Sequence, residues 1–293
     1  PPAVRLFVGG HAWTVAGTPF DLSGDRMFTA VHPPPRVTDL DALTYVLDSG
    51  AFSDPPDRRL SPAAALDRQL AWEALAADRW GRPVPAAALV PYDLLIDETW
   101  TAGTRVKRRW SRADAEAAVA ETIAAARYLA AQRATLAPRR LILSCQGVDP
   151  EQYLRCADAV LDVATPADIL GLGGWCLLGR WQRLLPTFLA TMRAVIPRAA
   201  RAGLAHVHLF GVLWEPALAG LLWLTDAYGL TLSTDSTAPV MAVTRANHRK
   251  SGARRPTWQA NVAWWRAHLA GLRSSPWYRP PACRPAQLLL PLW

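Results

Sequence analysis

The chain has 293 residues, 51% hydrophobic and 19% charged, with a net charge of +8 and a pI near 9.9. That balance is globular rather than disordered, and the length allows one large domain or two smaller ones. No apolar run is long enough to span a membrane, and the start PPAVRLFVGG lacks a signal peptide's charged head and long apolar middle.

Four cysteines, Cys145, Cys156, Cys176 and Cys283, show neither CxxC nor disulfide-framework spacing. A soluble, cytoplasmic protein with reduced thiols and no membrane partner is expected.

Short apolar runs alternate with helical patterns along the chain. The spacing predicts strands over 5–8, 27–31, 44–47, 87–92, 141–145, 168–172, 206–210 and 230–234. A helix over 61–80 opens on Ser61-Pro62, an N-cap with proline at the first helical position, and Leu66, Leu70 and Leu75 mark one face. A second, 111–136, starts at Ser111 with Asp114 three residues on, followed by Val119, Ile123 and Ala126 at helical spacing. Further helices are expected over 150–162, 181–196 and 214–228, with Pro186 kinking the second of these or delaying its start. Strand and helix in this rhythm imply parallel strands joined by crossovers, and at this length a closed (β/α)8 TIM-like barrel. The barrel is expected to fill residues 1–245. Residues 246–293 lose the strand pattern, are rich in Arg, Trp and Pro, and read as a C-terminal appendage packed on the barrel.

Six successive strands end in polar groups or glycines: Asp48-Ser49-Gly50, Asp93, Gln146-Gly147, Gly173-Gly174, Gly211 and Asp235-Ser236. In a barrel those carboxyl ends share one face, where such folds place their chemistry. Turn formers produce the same residues for local reasons, but six in one register point to a site. A carboxylate can attack a glycosidic carbon while a second acid moves the proton. A planar polar ligand needs donors and acceptors at its edge and flat side chains over its faces, and Phe52, Phe210 and Trp175 lie near the strand ends. The positive charge is nearly all arginine. It gathers at Arg105, Lys107, Arg108 and Arg109 and again at Arg245, Arg249 and Lys250, with tryptophans nearby, as suits a nucleic-acid backbone and unstacked bases or a solvated surface.

The segments DSGAF, PYD, SCQG, GLGGW, HLFGV and GLTLSTDS, in this order and spacing, resemble the motif series of the tRNA-guanine transglycosylases. They are most similar to the compact, DNA-modifying 7-deazaguanine transglycosylases. The resemblance covers about residues 25–245. It implies Asp235 as the nucleophile that holds the sugar and Asp48 as its acid/base partner, with Ser49 and Gly50 shaping the loop. It also implies that Asp93, Gln146, Gly147, Gly173, Gly174 and Gly211 surround the base while Phe52 and Phe210 sandwich it. The reaction would exchange guanine for a free 7-deazaguanine base without a cofactor. The C-terminal zinc cysteines of the tRNA enzymes are missing, only Cys283 lying in that region, which favours DNA over tRNA as the substrate. Helper proteins that open or present DNA fit a target base that must be flipped out.

Two other readings are open. His206 and His208 sit two apart on one strand and could, with Asp235, make a metal-dependent barrel hydrolase. The chain could also be a nucleic-acid-binding barrel without turnover.

Overall fold

A computed structural model describes residues 2–9, 24–54, 58–94, 96, 100–101, 104–105, 111–176, 178, 182–239 and 258–279. Its centre is the expected closed barrel of parallel strands. In chain order these are β1 (Val4–Gly9), β2 (Gly24–Thr29), β3 (Leu43–Asp48), β4 (Ala88–Leu89), β7 (Arg140–Cys145), β8 (Ile169–Leu172), β9 (His206–Leu209) and β10 (Thr231–Ser236). β10 pairs with β1 and closes the ring. A two-stranded antiparallel hairpin, β5 (Trp100–Thr101) and β6 (Thr104–Arg105), lies in the connection after β4.

Helices follow six of the eight barrel strands among the described residues. α1 (Pro62–Trp80) begins where predicted, the Ser61 hydroxyl accepting from Ala64 N and Pro62 opening the helix. α2 (Arg112–Ala131) is capped in the same way by Ser111, but it ends at Gln132, and a single turn, α3 (Arg133–Leu136), carries on. α4 (Pro150–Leu161) is capped by Asp149. α5 (Leu185–Arg201) starts late and carries Pro186 in its first turn, as expected of a proline that needs no donor there. Its end differs: the helix runs through Pro197 to Arg201. Phe188, Met192, Val195, Ile196 and Ala199 make one buried stripe, and that burial outweighs the proline's lost hydrogen bond. α6 is Glu215–Ala227.

Within the 246–293 appendage the described part is α7 (Trp258–Ala270) and the turn after it. α7 packs on β1, and Val262, Leu269 and Leu272 join the main core. Arg273 makes a two-pronged ion pair with Asp226 of α6, at 2.8 and 2.7 Å, and Tyr278 donates to the same carboxylate. The described part of the appendage therefore shares the barrel's core.

Two apolar layers organise the molecule. The larger lies between strands and helices and includes Leu47, Leu89, Leu143, Leu172, Leu209 and Val195. The smaller fills the barrel lumen: Phe7, Met27, Val46, Ala88, Val90, Ile142 and Ile169, with Phe210 packed against them. Because strand side chains alternate, the lumen residues identify which others face inward. Asp48 stands two residues after Val46, and Asp235 is paired in register with Phe7. Both carboxylates therefore point into the lumen at its carboxyl end.

The strand predicted over 87–92 keeps only a two-residue ladder. Pro91 has no N–H to give, and the buried Gln69 of α1 takes over, its amide donating to Leu47 O (2.9 Å) and Val90 O (3.0 Å). That side-chain bridge holds the ends of β3 and β4 together above the last ladder pair. No described helix is long and apolar enough to cross a membrane.

Candidate active site at the carboxyl end of the barrel

Asp48 is the last residue of β3 and Asp235 the last but one of β10, so both lie within their ladders rather than in the loops beyond, and both backbones are held by neighbouring strands. Asp48 Oδ1 accepts from Gly50 N at 3.2 Å. Gly50 has a left-handed backbone (φ 83°), and a Cβ there would stand 2.5 Å from Val31 Cγ1, so two independent constraints demand glycine. The turn it starts carries Phe52, which is 49% exposed at the mouth. Burial pushes the Asp48 carboxyl up to about 6, aided by the charge of Asp235 and opposed by the Gly50 N–H and by Arg68. That mutual repulsion requires the two carboxylates to share one neighbourhood.

Asp235 is anchored on one oxygen. Oδ1 accepts from Gly211 N at 2.9 Å and lies 3.1 Å from His208 Nε2. Oδ2 makes no hydrogen bond to any described residue. Gly211 is left-handed (φ 68°), and a Cβ there would lie 2.8 Å from Cys176 Sγ. Its N–H is thus spent on Asp235.

Asp93 follows β4 on a stretch held by Arg59, whose guanidinium donates to Asp93 O (3.0 Å), stacks on Tyr92 at 4.5 Å and pairs with Glu121 of α2. Burial pushes the Asp93 carboxyl up to about 7, with the charges of Asp48 and Glu121 adding and Arg59 opposing. Asp48 thus couples to both of the other acids, and the three form one electrostatic unit.

The remaining predicted base-binding residues divide. Phe210 packs its ring edge-on to His208, centroids 4.7 Å apart, in the space that Gly171 leaves: a Cβ on Gly171 would be 2.6 Å from Phe210 Cε2. Gly174 is left-handed (φ 82°), and its N–H donates to no described residue. Gly173, by contrast, gives its N–H to Cys145 O at 2.9 Å, and its carbonyl accepts from Tyr153 Oη at 3.2 Å. Gly147 is there for packing. A Cβ would meet the backbone of Tyr153 at 2.6 Å, so glycine lets the start of α4 close on β7. Ser49 is fully buried and donates to Pro91 O at 3.1 Å, tying the ends of β3 and β4.

Gln146 also has a different task from the expected one. It is fully buried, with Oε1 accepting from Ile96 N (2.7 Å) and Nε2 donating to Leu94 O (2.6 Å) and Thr122 Oγ1 (2.8 Å). Its whole hydrogen-bonding capacity except one lone pair is used to fasten the segment that follows Asp93. It positions Asp93 rather than reading a ligand edge.

The basic residues fall mostly beyond the described structure. Lys107, Arg108, Arg109, Arg245, Arg249 and Lys250 lie outside the described residues, and Arg105 is described only as part of the β6 backbone. His206 and His208 are joined through the Ser233 hydroxyl, 2.8 Å from each ring. Among the described residues no cluster of three or more His, Cys, Asp or Glu is arranged to hold a metal ion.

Sequence reasoning grouped His206 and His208 with Asp235 only as metal ligands, and it missed Ser233 between the rings and Arg59 beside Asp93. Ser233 and Asp235 repeat the two-residue step of His206 and His208 on the adjacent strand, a signal readable once β9 and β10 are taken as neighbours. Arg59 and Gln69 carry no such pattern.

No family model and no curated protein matches the chain. Among solved structures it is similar to a protein from Burkholderia cenocepacia J2315 described as a lyase/mutase, at 18% identity over 90% of this chain and 91% of that one, with a TM-score of 0.41. It is also similar to an L-ribulose 3-epimerase, at 14% identity over 85% of each chain, with a TM-score of 0.40.

Proposed function

We propose that the protein is a nucleic-acid base-exchange enzyme, a glycosyltransferase that replaces guanine by a 7-deazaguanine on the same sugar. The observation that carries this reading is the pairing of two unlike carboxyl groups in one lumen. Asp235 offers, beside an anchored Oδ1, an Oδ2 that no described residue bonds, while burial and its neighbour push the Asp48 carboxyl up to about 6. A raised acid beside an anchored carboxylate in one lumen fits an acid/base partner and a nucleophile.

In the first displacement Asp235 Oδ2 forms a bond to the sugar C1′ and the C1′–N bond breaks. The departing base keeps the electron pair and takes the Asp48 proton. In the second displacement the incoming base gives its N–H proton to Asp48 and bonds C1′, and Asp235 leaves as the carboxylate. Protons and charge balance over the cycle, and water takes no part. Asp93 would accept from donors on the base edge, the Gly174 N–H would meet its carbonyl, and Phe210 with the exposed Phe52 would flank its faces. DNA is favoured over tRNA because the zinc cysteines of the tRNA-directed enzymes are missing.

The test incubates the protein with DNA or tRNA and labelled guanine or a labelled 7-deazaguanine, then digests the polymer to nucleosides. Label is expected in the polymer with wild type and absent with Asp235→Asn. Equal uptake by Asp235→Asn would remove Asp235 as nucleophile, and no uptake with either polymer and either base would reject the reading.

A further inference from the structure

The fully buried His208 and its strand-mate His206 are not accounted for by the two carboxylates alone. β9 and β10 run in parallel with His208 paired to Ser233, and alternate residues of both strands enter the lumen. Ser233 Oγ lies 2.8 Å from His206 Nε2 and 2.8 Å from His208 Nδ1, and His208 Nε2 lies 3.1 Å from Asp235 Oδ1. Ser233 and His208 are both fully buried, His208 resting between Phe7 (6.0 Å) and Phe210 (4.7 Å).

Proton counting gives these contacts a direction. A carboxylate oxygen only accepts, so His208 Nε2 carries a hydrogen. Ser233 has one proton to give. If it gives it to His208 Nδ1, its oxygen is left to accept from His206 Nε2–H. The charges below favour a neutral His206: desolvation of the half-buried ring drives its pKa down to about 3, with His208, Arg140 of β7 and Arg5 of β1 adding to the effect. Arg5 is itself paired with Asp25 of β2. On the other side Asp235 faces Asp48 of β3.

We propose that His206, Ser233 and His208 form a one-way chain of hydrogen-bond donors ending on Asp235 Oδ1, and that this chain positions Asp235 for the second displacement. The proposal rests on the base-exchange reading of Asp235. When Oδ2 is bonded to the sugar, the group is a neutral ester and its hydrogen bonds on Oδ1 are ordinary. As the C1′–Oδ2 bond breaks, the electron pair returns to the carboxylate and spreads onto Oδ1. The waiting His208 and Gly211 N–H groups then become charge-assisted donors, which are stronger, and they are already in place. The three residues are positioning residues. Their effect should fall on release of the sugar from the protein rather than on binding of the base.

Two measurements decide it. In the exchange assay, Ser233→Ala removes one oxygen and should lower kcat about 10- to 100-fold, as loss of a supporting hydrogen-bond partner does, with KM for the base unchanged. The fraction of protein trapped covalently on the polymer in a denaturing gel should rise, because release slows more than attack. His208→Gln, which can place an amide N–H near the position of Nε2, should retain more activity than His208→Leu. Wild-type kcat for Ser233→Ala, or a fall in kcat with less trapped protein, overturns the proposal. Independently of activity, nitrogen NMR of the full chain at neutral pH should find both His206 and His208 with their single proton on Nε2, and Ser233→Ala should disturb both rings. A proton on His208 Nδ1, alone or in addition, overturns the donor direction even if base exchange is real. A protein that exchanges no base but shows the expected tautomers rejects the function and leaves the chain intact as structure.

Discussion

Replacing Asp48 by Asn should make the fold more stable, and more so at high pH. Burial and the Asp235 charge raise the Asp48 pKa from 3.8 to about 6. A shift of about two units corresponds to about 3 kcal/mol between the two protonation states. Water at the half-open mouth reduces the effective figure to about 1–2 kcal/mol. The sign follows from proton binding. From about pH 4 to about pH 6 the folded protein holds a proton that the unfolded chain has lost, so stability falls as pH rises through that window and levels off above it. Asn cannot ionise, keeps the acceptor for Gly50 N–H and has nearly the same volume. Urea unfolding followed by tryptophan fluorescence, at about pH 4.5 and about pH 8, should show Asp48→Asn gaining about 1–2 kcal/mol over wild type at the higher pH and distinctly less at the lower. Part of the gain should vanish in an Asp235→Asn background, since Asp235 is one source of the repulsion. No gain at the higher pH, or an equal gain at both, would refute the idea that this carboxyl is held at the expense of stability.

Base affinity should depend on Asp93. Its pKa of about 7 means that the carboxylate needed to accept from a base edge is only partly present at neutral pH, so calorimetric binding of guanine should tighten as pH rises from about 6 to about 8 and lose that dependence in Asp93→Asn. Gln146→Ala strips partners from Ile96 N, Leu94 O and Thr122 Oγ1 and should cost about 2–4 kcal/mol in urea unfolding. It should also speed hydrogen exchange at Ile96, whereas a purely ligand-reading glutamine would leave both unchanged. Gly171→Ala places a methyl 2.6 Å from Phe210 Cε2 and 3.0 Å from Ile142 Cγ2, and should destabilise by about 1–3 kcal/mol while weakening base binding through the displaced ring.

Local pattern carried the fold. Eight apolar runs and the capped helices between them predict a barrel because strand burial, N-caps and prolines act over a few residues and leave their mark at fixed spacing. The strand most misjudged in length, 87–92, fell short where a proline cannot donate and a distant glutamine bridges the strand ends, and the second strand, expected over 27–31, lies earlier, at Gly24–Thr29. The helix ended too early at 196 was extended by buried packing that a proline rule ignores. The three acids were legible as well, because each terminates an apolar run, and the barrel brings Asp48 and Asp235 into one lumen as required.

What the amino-acid order left undecided was how the groups around those acids spend their hydrogen bonds. Gln146 and Gly147 lie at a strand end in the pattern expected of ligand contacts, yet one fastens Leu94 and Ile96 and the other admits the backbone of Tyr153. Ser233 and His208 look like ordinary strand residues until the register of β9 against β10 sets a hydroxyl between two imidazoles and an imidazole against Asp235. Periodicity states which way a side chain faces. Only the packed barrel brings donor and acceptor within 3 Å across tens of residues, and that proximity decides whether a polar group serves the fold or remains for a ligand.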